Sequence, residues 1–399
     1  MRVDTQVVVA GSGPVGSIAA WWLAEQGIDV VLLEAGADCH ADLRASTFHP
    51  PTLEMLEESG VTDMLLDRGL KAPVFHFRDR ERDEVFSLDL SELEDKTKYP
   101  FRIQCEQFHM ARKVADMLDK HDRADVQFSS RVTYFEQDED GVTVYVETPV
   151  DIKKIKAQYL IGADGASSIV RKWLGIEFDG FTYPEKFLCL TTPEPLEDYF
   201  QDLAWVNYVS DPDQWQVILR VPSLWRVLVP VSEDDSDEYL LSDESRDKVF
   251  KHLLKTDKEI ETRHRTMYRV HQRVAKTFRD RRVFIIGDAA HLNNPLGGFG
   301  MNSGIHDARN LTEKLGKVIN DRVNDDLLDL FDRQRRTVTH SFTQAQTKSN
   351  MEMMRNGWGN ERNVKRNEML SLSKDKDLRR QFLLRQSMFK SLEDAAAIA

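Results

Sequence analysis

Three apolar runs in this 399-residue chain stop at glycines or a carboxylate, where chemistry could be done. In TQVVVAGSGPVGSIAAWWLAEQGIDVVLLE, the first run ends at Gly11. Gly13 and Gly16 complete a GxGxxG spacing around Pro14 and Val15, and a second run closes on Glu34, followed by Ala35. In RRVFIIGDAAHLNNPLGGFGMNSGIHDARNL, the apolar run stops at Gly287-Asp288, crosses a loop through Pro295, Gly298 and Gly300, and enters a helical pattern at Met301 and Asn302. Both stretches set backbone N–H groups of a helix N-terminus beside a fixed acid, an arrangement suited to an anionic or polyhydroxylic group. A third run, AQYLIGADGASSIVRKWLGI, ends in Ala163-Asp164-Gly165, with Ser168 and Arg171 on the helix that follows.

The periodicity predicts a strand over Gln6–Ala10, a helix ending at Gly27 and a strand over Asp29–Leu33, which together make a βαβ unit. In such a unit Gly11 permits the tight turn, Gly13 lets backbone approach a pyrophosphate, and Gly16 lets helix and strand pack closely. Glu34 stands where an acid grips ribose hydroxyls. A dinucleotide is therefore expected, and because NAD and FAD proteins share the unit, these residues alone leave the choice open.

The order of the three stretches resembles the three-fingerprint pattern of FAD-dependent aromatic hydroxylases, the class A flavoprotein monooxygenases. The likeness extends over Tyr268 to Leu315, the helix LLDLFDRQRR and the segment RASTFHPPTLEMLEESGV, so it covers most of residues 1–345. It implies that FAD is held by Gly11, Gly13, Pro14, Val15, Gly16, Glu34 and Ala35, by Arg44 and Gln104, by Asp164, Gly165 and Arg171, and by Gly287 and Asp288 on the ribityl chain. It further implies that Pro295, Gly298, Gly300, Met301 and Asn302 pass beside the flavin ring, with Pro295 as the loop proline at the reaction site. Two departures from the pattern are Gly298-Phe299-Gly300, where the family often has Gly-Gln-Gly, and Ala35, where it often has Arg.

The implied fold is α/β: a Rossmann-like FAD-binding domain from residues 1–70, 100–177 and 268–345, and an inserted α+β substrate domain from 71–99 and 178–267. A helical tail spans 346–399. Runs such as WVNYV, WQVILRV and WRVLVPV read as an antiparallel sheet in the insert. In DQWQVILRVPSLWRVLVPV, Trp215, Val217, Leu219 and Val221 share one side, and Gln216, Ile218 and Arg220 the other. Arg220, a cation in an apolar strand, is the expected partner of a substrate carboxylate. The implied activity is hydroxylation of a small aromatic or heteroaromatic ring with NADH or NADPH as transient reductant and O2, through a flavin C4a-hydroperoxide. The alternative is an FAD-dependent oxidase or dehydrogenase without oxygen insertion, or a non-catalytic FAD-binding protein.

Composition excludes several other classes. A net charge of −13 and a pI near 5.4 argue against nucleic acid or an anionic membrane as a partner. No apolar run reaches the roughly 18 residues of a membrane span. Cys39, Cys105 and Cys189 are widely spaced and odd in number, which suggests neither disulfides nor zinc and points to a reducing compartment, taken as the cytoplasm. His264 and His271 lack metal-ligand spacing, the acidic run Ser232–Asp247 reads as solvated surface, and no metal is expected. The tail is expected to pack across the FAD domain or to join copies of the chain in a homo-oligomer, with Met351, Met353 and Met354 as core filling.

Overall fold

The computed structural model describes residues 4–40, 45–211, 213–355 and 359–399. Its first layer is an 8-stranded sheet with a parallel core. The strand Thr5–Ala10 lies at the centre, Val30–Leu33 beside it on one side and Ile152–Gly162 on the other, with Val283–Ile285 next outward. The buried stretches VVVA, VVLL, YLIG and VFI of these strands are apolar because both faces are covered there, as parallel sheets require. The helices Pro14–Glu25 and Phe299–Asn320 supply cover, and their apolar residues join the strands in one core. Chain order reverses on either side of Thr5–Ala10, and in open α/β sheets the crevice at such a switch point is where ligands bind.

The second sheet is also 8-stranded. Phe178–Thr192 pairs antiparallel with both Leu224–Val231 and His264–Ala275. Val74–Asp79 and Glu84–Asp89 extend the far edge, where Val74–Asp79 runs parallel to Val206–Ser210. Alternation gives this sheet two different faces. Ile218, Trp225, Val227 and Val229 pack outward against Phe250 and Leu253 of the helix Asp243–Leu254. Trp215, Val217, Tyr208 and Leu228 pack inward against Leu296 and against Met351 and Met354 of the tail helix Ala345–Arg355.

The tail therefore folds back on its own chain and holds the loop that follows Asp288. Asn350 Nδ2 donates to Leu296 O at 3.1 Å, and Asn294 Nδ2 donates to Thr347 O at 2.9 Å. From the sheet, Gln272 Oε1 accepts from Asn294 N at 3.0 Å, while its Nε2 donates to Thr347 Oγ1 at 2.8 Å. A stretch of π-helix, Thr339–Gln344, precedes this tail helix, a local distortion of the kind that often accompanies functional sites.

A single buried carboxylate ties the first sheet to the helices behind it. Asp307, with no exposed surface, accepts from Arg335 Nε at 2.6 Å through Oδ1. Its Oδ2 accepts from Gly287 N at 3.2 Å and lies 2.7 Å from His291 Nε2. Burial pushes this carboxyl up, but Arg335 and His291 outweigh burial and hold it below the usual range. Because the folded value lies below the unfolded one, Asp307 contributes its full stability above the unfolded carboxyl value of about 4 and loses it as pH falls through the lower folded value. Arg335→Met is expected to cost about 3–5 kcal/mol at neutral pH, as breaking one partner of a buried pair does. Thermal unfolding should show that deficit shrinking under acid conditions; a deficit unchanged down to acid denaturation would contradict the assigned charge state.

Candidate active site

The sequence-predicted acids and glycines converge at the carboxyl ends of neighbouring parallel strands. Gly11 follows Thr5–Ala10, Glu34 follows Val30–Leu33, Asp164 follows Ile152–Gly162, and Asp288 follows Val283–Ile285. The packing explains the glycine spacing. A Cβ on Gly16 would stand 2.0 Å from Gly11 O, and one on Gly11 would stand 2.5 Å from Ala163 O, so both are needed for the protein's own close packing. Gly13 differs: no atom of the protein lies within 4 Å of where its Cβ would be, and its φ of −64° suits any residue. Its lack of a side chain is thus unexplained by the protein and fits a pyrophosphate approaching the N-terminus of Pro14–Glu25, whose first turn has no side-chain cap. Pro14 occupies that first turn, and Val15 packs against Gly287 and Gly304, joining the first stretch to the last.

The other groups fit a nucleotide in the same way. Glu34 Oε2 accepts from Ser12 N at 2.8 Å and Oε1 accepts from Gly36 N at 2.8 Å, which orients the carboxylate while leaving each oxygen further acceptor capacity for ribose hydroxyls. Ala35 beside it is exposed. Asp164 Oδ2 accepts from Ile169 N and Val170 N at the start of the helix Ile169–Trp173, whereas its buried Oδ1 has no partner within the protein. Asp288 is the one exposed residue in the buried run Val283–His291. Gln104 Oε1 accepts from Thr47 Oγ1 at 3.0 Å, and its Nε2, fully buried, has no partner.

The loop beyond Asp288 is held in left-handed backbone at Gly297 and Gly298, with φ of 104° and 69°. Gly298 caps the helix Phe299–Asn320, whose first turn carries no acid, so the N–H groups of Phe299, Gly300 and Met301 form an electropositive end beside Pro295. Asn302 serves the protein itself: its Nδ2 donates to Thr47 O and Gly298 O, and its Oδ1 accepts from His49 N. His49 Nε2 donates to Gly297 O at 2.8 Å, and burial with Arg102 nearby keeps the ring neutral by lowering its pKa well below the usual value.

Two sequence readings need adjustment, and a third, that of Arg44, lies outside the described residues. Arg171 does not present its guanidinium to the crevice: Nη1 donates to Ala289 O at 2.8 Å, Nη2 donates to Ala166 O at 2.9 Å, and the ring of Phe178 covers it at 3.8 Å. It is a brace between the Asp164 and Asp288 segments. Arg220 does not share the inward face of the second sheet. It lies opposite Trp225 on the outward face, with its guanidinium 5.3 Å from that ring. Alternation had correctly separated Arg220 from Val217, and the sheet turns the Val217 side inward.

Crevice, glycine cradle, exposed Asp288 and facing sheet together define a Rossmann-type flavoprotein with a substrate domain. Comparison with known proteins makes the assignment specific. The sequence signature of the FAD binding domain family matches residues 4–346, and the chain belongs to that family. Para-nitrophenol 4-monooxygenase of Pseudomonas sp. strain WBC-3 is 34% identical over 359 residues, 88% of this chain and 87% of that protein. 6-Hydroxy-3-succinoylpyridine 3-monooxygenase of Pseudomonas putida strain S16 is 33% identical over 392 residues, 96% of this chain and 98% of that protein. The crystal structure of p-nitrophenol 4-monooxygenase from Pseudomonas putida DLL-E4 superposes with a TM-score of 0.92 at 30% identity, covering 98% of this chain and 99% of that one. The chain is an FAD- and NAD(P)H-dependent monooxygenase of the aromatic hydroxylase class. Among its described residues no helix is long and apolar enough to cross a membrane.

The contrast between Gly13 and Gly16 gives a direct test of the cradle. Gly13→Ala should leave the apoprotein's melting temperature unchanged or slightly higher, since the backbone there already suits alanine, and should weaken FAD binding by about tenfold or more through the lost close approach. Gly16→Ala should lower both. Apoprotein thermal unfolding and FAD titration separate the two, and an unchanged FAD affinity in Gly13→Ala would remove the pyrophosphate from that turn.

Proposed function

We propose that this monooxygenase hydroxylates a small phenolic or heteroaromatic acid or nitro compound bound between the inward face of the second sheet and the Pro295 loop. The observation that carries this reading is Leu296. The residue after the loop proline packs in one cluster with Val217, Tyr208 and Phe187 of the sheet, so the loop and the sheet are the two walls of a single site. Relatives acting on p-nitrophenol and on a hydroxypyridine, each similar over most of both chains, support a ring of that size.

Bound FAD would supply hydride acceptance from NAD(P)H and activation of O2, with one oxygen atom going to the ring and the other leaving as water. The chain's own residues bind and orient. Asp288 would hold the ribityl hydroxyls, and Gly13 and Glu34 would hold the adenosine-pyrophosphate half. The N-terminus of Phe299–Asn320 favours negative charge on the pyrimidine edge of the ring system. The apolar inward sheet, closed by Leu296 and Met351, keeps water from the reacting centre.

The cofactor contact and the reaction class are tested separately. Asp288→Ala should weaken FAD binding about tenfold to a hundredfold, since a charge-assisted hydrogen bond contributes roughly 1.5–3 kcal/mol. Anaerobic NAD(P)H should bleach the flavin's visible band, and admission of isotopically labelled O2 should place one labelled oxygen atom in the ring product. An unlabelled product formed with peroxide would mark an oxidase, and absence of bleaching a binding protein.

A further inference from the structure

The second sheet meets the FAD-binding unit along a seam where several buried polar atoms have no hydrogen-bond partner within the protein. Arg102, Gln104 and Glu106 alternate there with Ile103 and Cys105, which point into the core of the first sheet. Beside Glu106 stands Arg226, only 3% exposed. None of its Nε, Nη1 and Nη2 atoms has a hydrogen-bond partner. The nearest acid is Glu106, whose Oε1 lies 3.5 Å from Nη2, close enough to offset charge but not making a hydrogen bond.

The direction of Arg226 follows from pairing. Its sequence neighbours Trp225 and Val227 belong to the outward cluster with Phe250, so Arg226 points inward. On that face it stands between Thr191 on one neighbouring strand and Leu219 on the other. Thr191 Oγ1 is buried and also lacks a partner. Buried polar atoms are nearly always paired, and a guanidinium is among the costliest to leave unpaired. A rigid fork of N–H donors beside an unpaired hydroxyl, on an apolar wall, matches a planar group with two oxygens.

Resting on the monooxygenase reading above, we propose that Arg226 is the specificity-determining residue. It binds a planar two-oxygen substituent of the ring, a carboxylate or a nitro group, and Glu106 is the counter-charge that this group displaces. The position six residues beyond Arg220 thus supplies the cation from the correct face. The pair also sets discrimination. With Glu106 charged, a second anion at Arg226 meets like-charge repulsion, so Glu106 restrains the binding of carboxylates more than that of nitro groups, and both more than that of rings lacking the two oxygens.

The test uses FAD-loaded protein and the shift of the flavin's visible spectrum on ligand binding. The probes are 4-hydroxybenzoate against 4-hydroxybenzamide, and 4-nitrophenol against 4-cyanophenol. Wild type should bind at least one two-oxygen ring about tenfold tighter than its control, the scale of a bidentate charge-assisted contact. Arg226→Met should erase that preference while FAD titration stays at the wild-type value, and Arg226→Lys should restore it only in part. Glu106→Gln should move the other way, tightening 4-hydroxybenzoate several-fold with 4-cyanophenol unchanged. The proposal falls if wild type shows no preference, if Arg226→Met keeps it, or if Glu106→Gln weakens the carboxylate. It also falls if Arg226→Met loses FAD, which would assign the guanidinium to the cofactor. Should Arg226→Met not fold, the Glu106→Gln shift decides alone. Failure of the oxygenase reading would appear separately, as wild-type flavin that NAD(P)H does not bleach.

Discussion

Asp307 is the constraint on which the site depends. Burying a carboxylate costs several kcal/mol unless its oxygens are filled by charged or well-placed donors, and here they are filled by donors from different parts of the chain. Gly287 N and His291 belong to the turn that presents Asp288, while Arg335 lies on the helix Asp326–Val338 and also donates to Ser303 O. Asp307 itself lies on Phe299–Asn320, so the turn that presents Asp288 and the helix that begins after Gly298 are fixed to one another through one buried group. The expense of that group is tolerable because it replaces several separate restraints.

The loop between these two points is held from the opposite direction. Asn294 is gripped by Gln272 of the second sheet and by Thr347 of the tail, and Asn350 takes Leu296 O. A loop wall anchored on both sides of Pro295 has little freedom to yield when a ring enters. Catalysis by positioning needs that stiffness, since a displacement of about 1 Å in a reacting pair can cost a hundredfold in rate. The C-terminal helices are thus part of the active-site scaffold rather than an appendage.

Sequence made the first layer legible because its signals are local. A run of Val and Leu, a glycine spacing and a closing acid lie within one βαβ unit, and the structure sets Gly11, Glu34, Asp164 and Asp288 on adjacent strand ends. The second layer was legible only in part. Period-two alternation sorts residues onto two faces, but it cannot say which face a distant segment will cover, and Arg220, expected toward the substrate, lies instead on the face that carries Trp225. Arg226 sits in WRVLVPV among aliphatic residues much as Arg220 does in WQVILRV. What separates them is Trp225, which stacks beside one and, by its own outward turn, sends the other inward. Asn294, Gln272 and Asn350 left no signal at all, because amides satisfied over long sequence separations look like any surface amide until the chain is folded.

The polar interior therefore divides into two populations. One is spent within the protein: Asp307 on Arg335, Arg171 on two carbonyls, Asn302 on Thr47 and Gly298, each fixing an element in place. The other is buried without hydrogen-bond partners and includes Asp164 Oδ1 and Gln104 Nε2 beside the first sheet, and Thr191 Oγ1 and Arg226 on the second. Each such atom costs about 1–3 kcal/mol where nothing pairs it, and for Arg226 the charge of Glu106 at 3.5 Å offsets only part of that cost. Asp164 stands at the carboxyl end of Ile152–Gly162, and Thr191 and Arg226 stand on the inward face of the second sheet, so a ligand that paired with these atoms would gain hydrogen bonds that the protein alone leaves unmade.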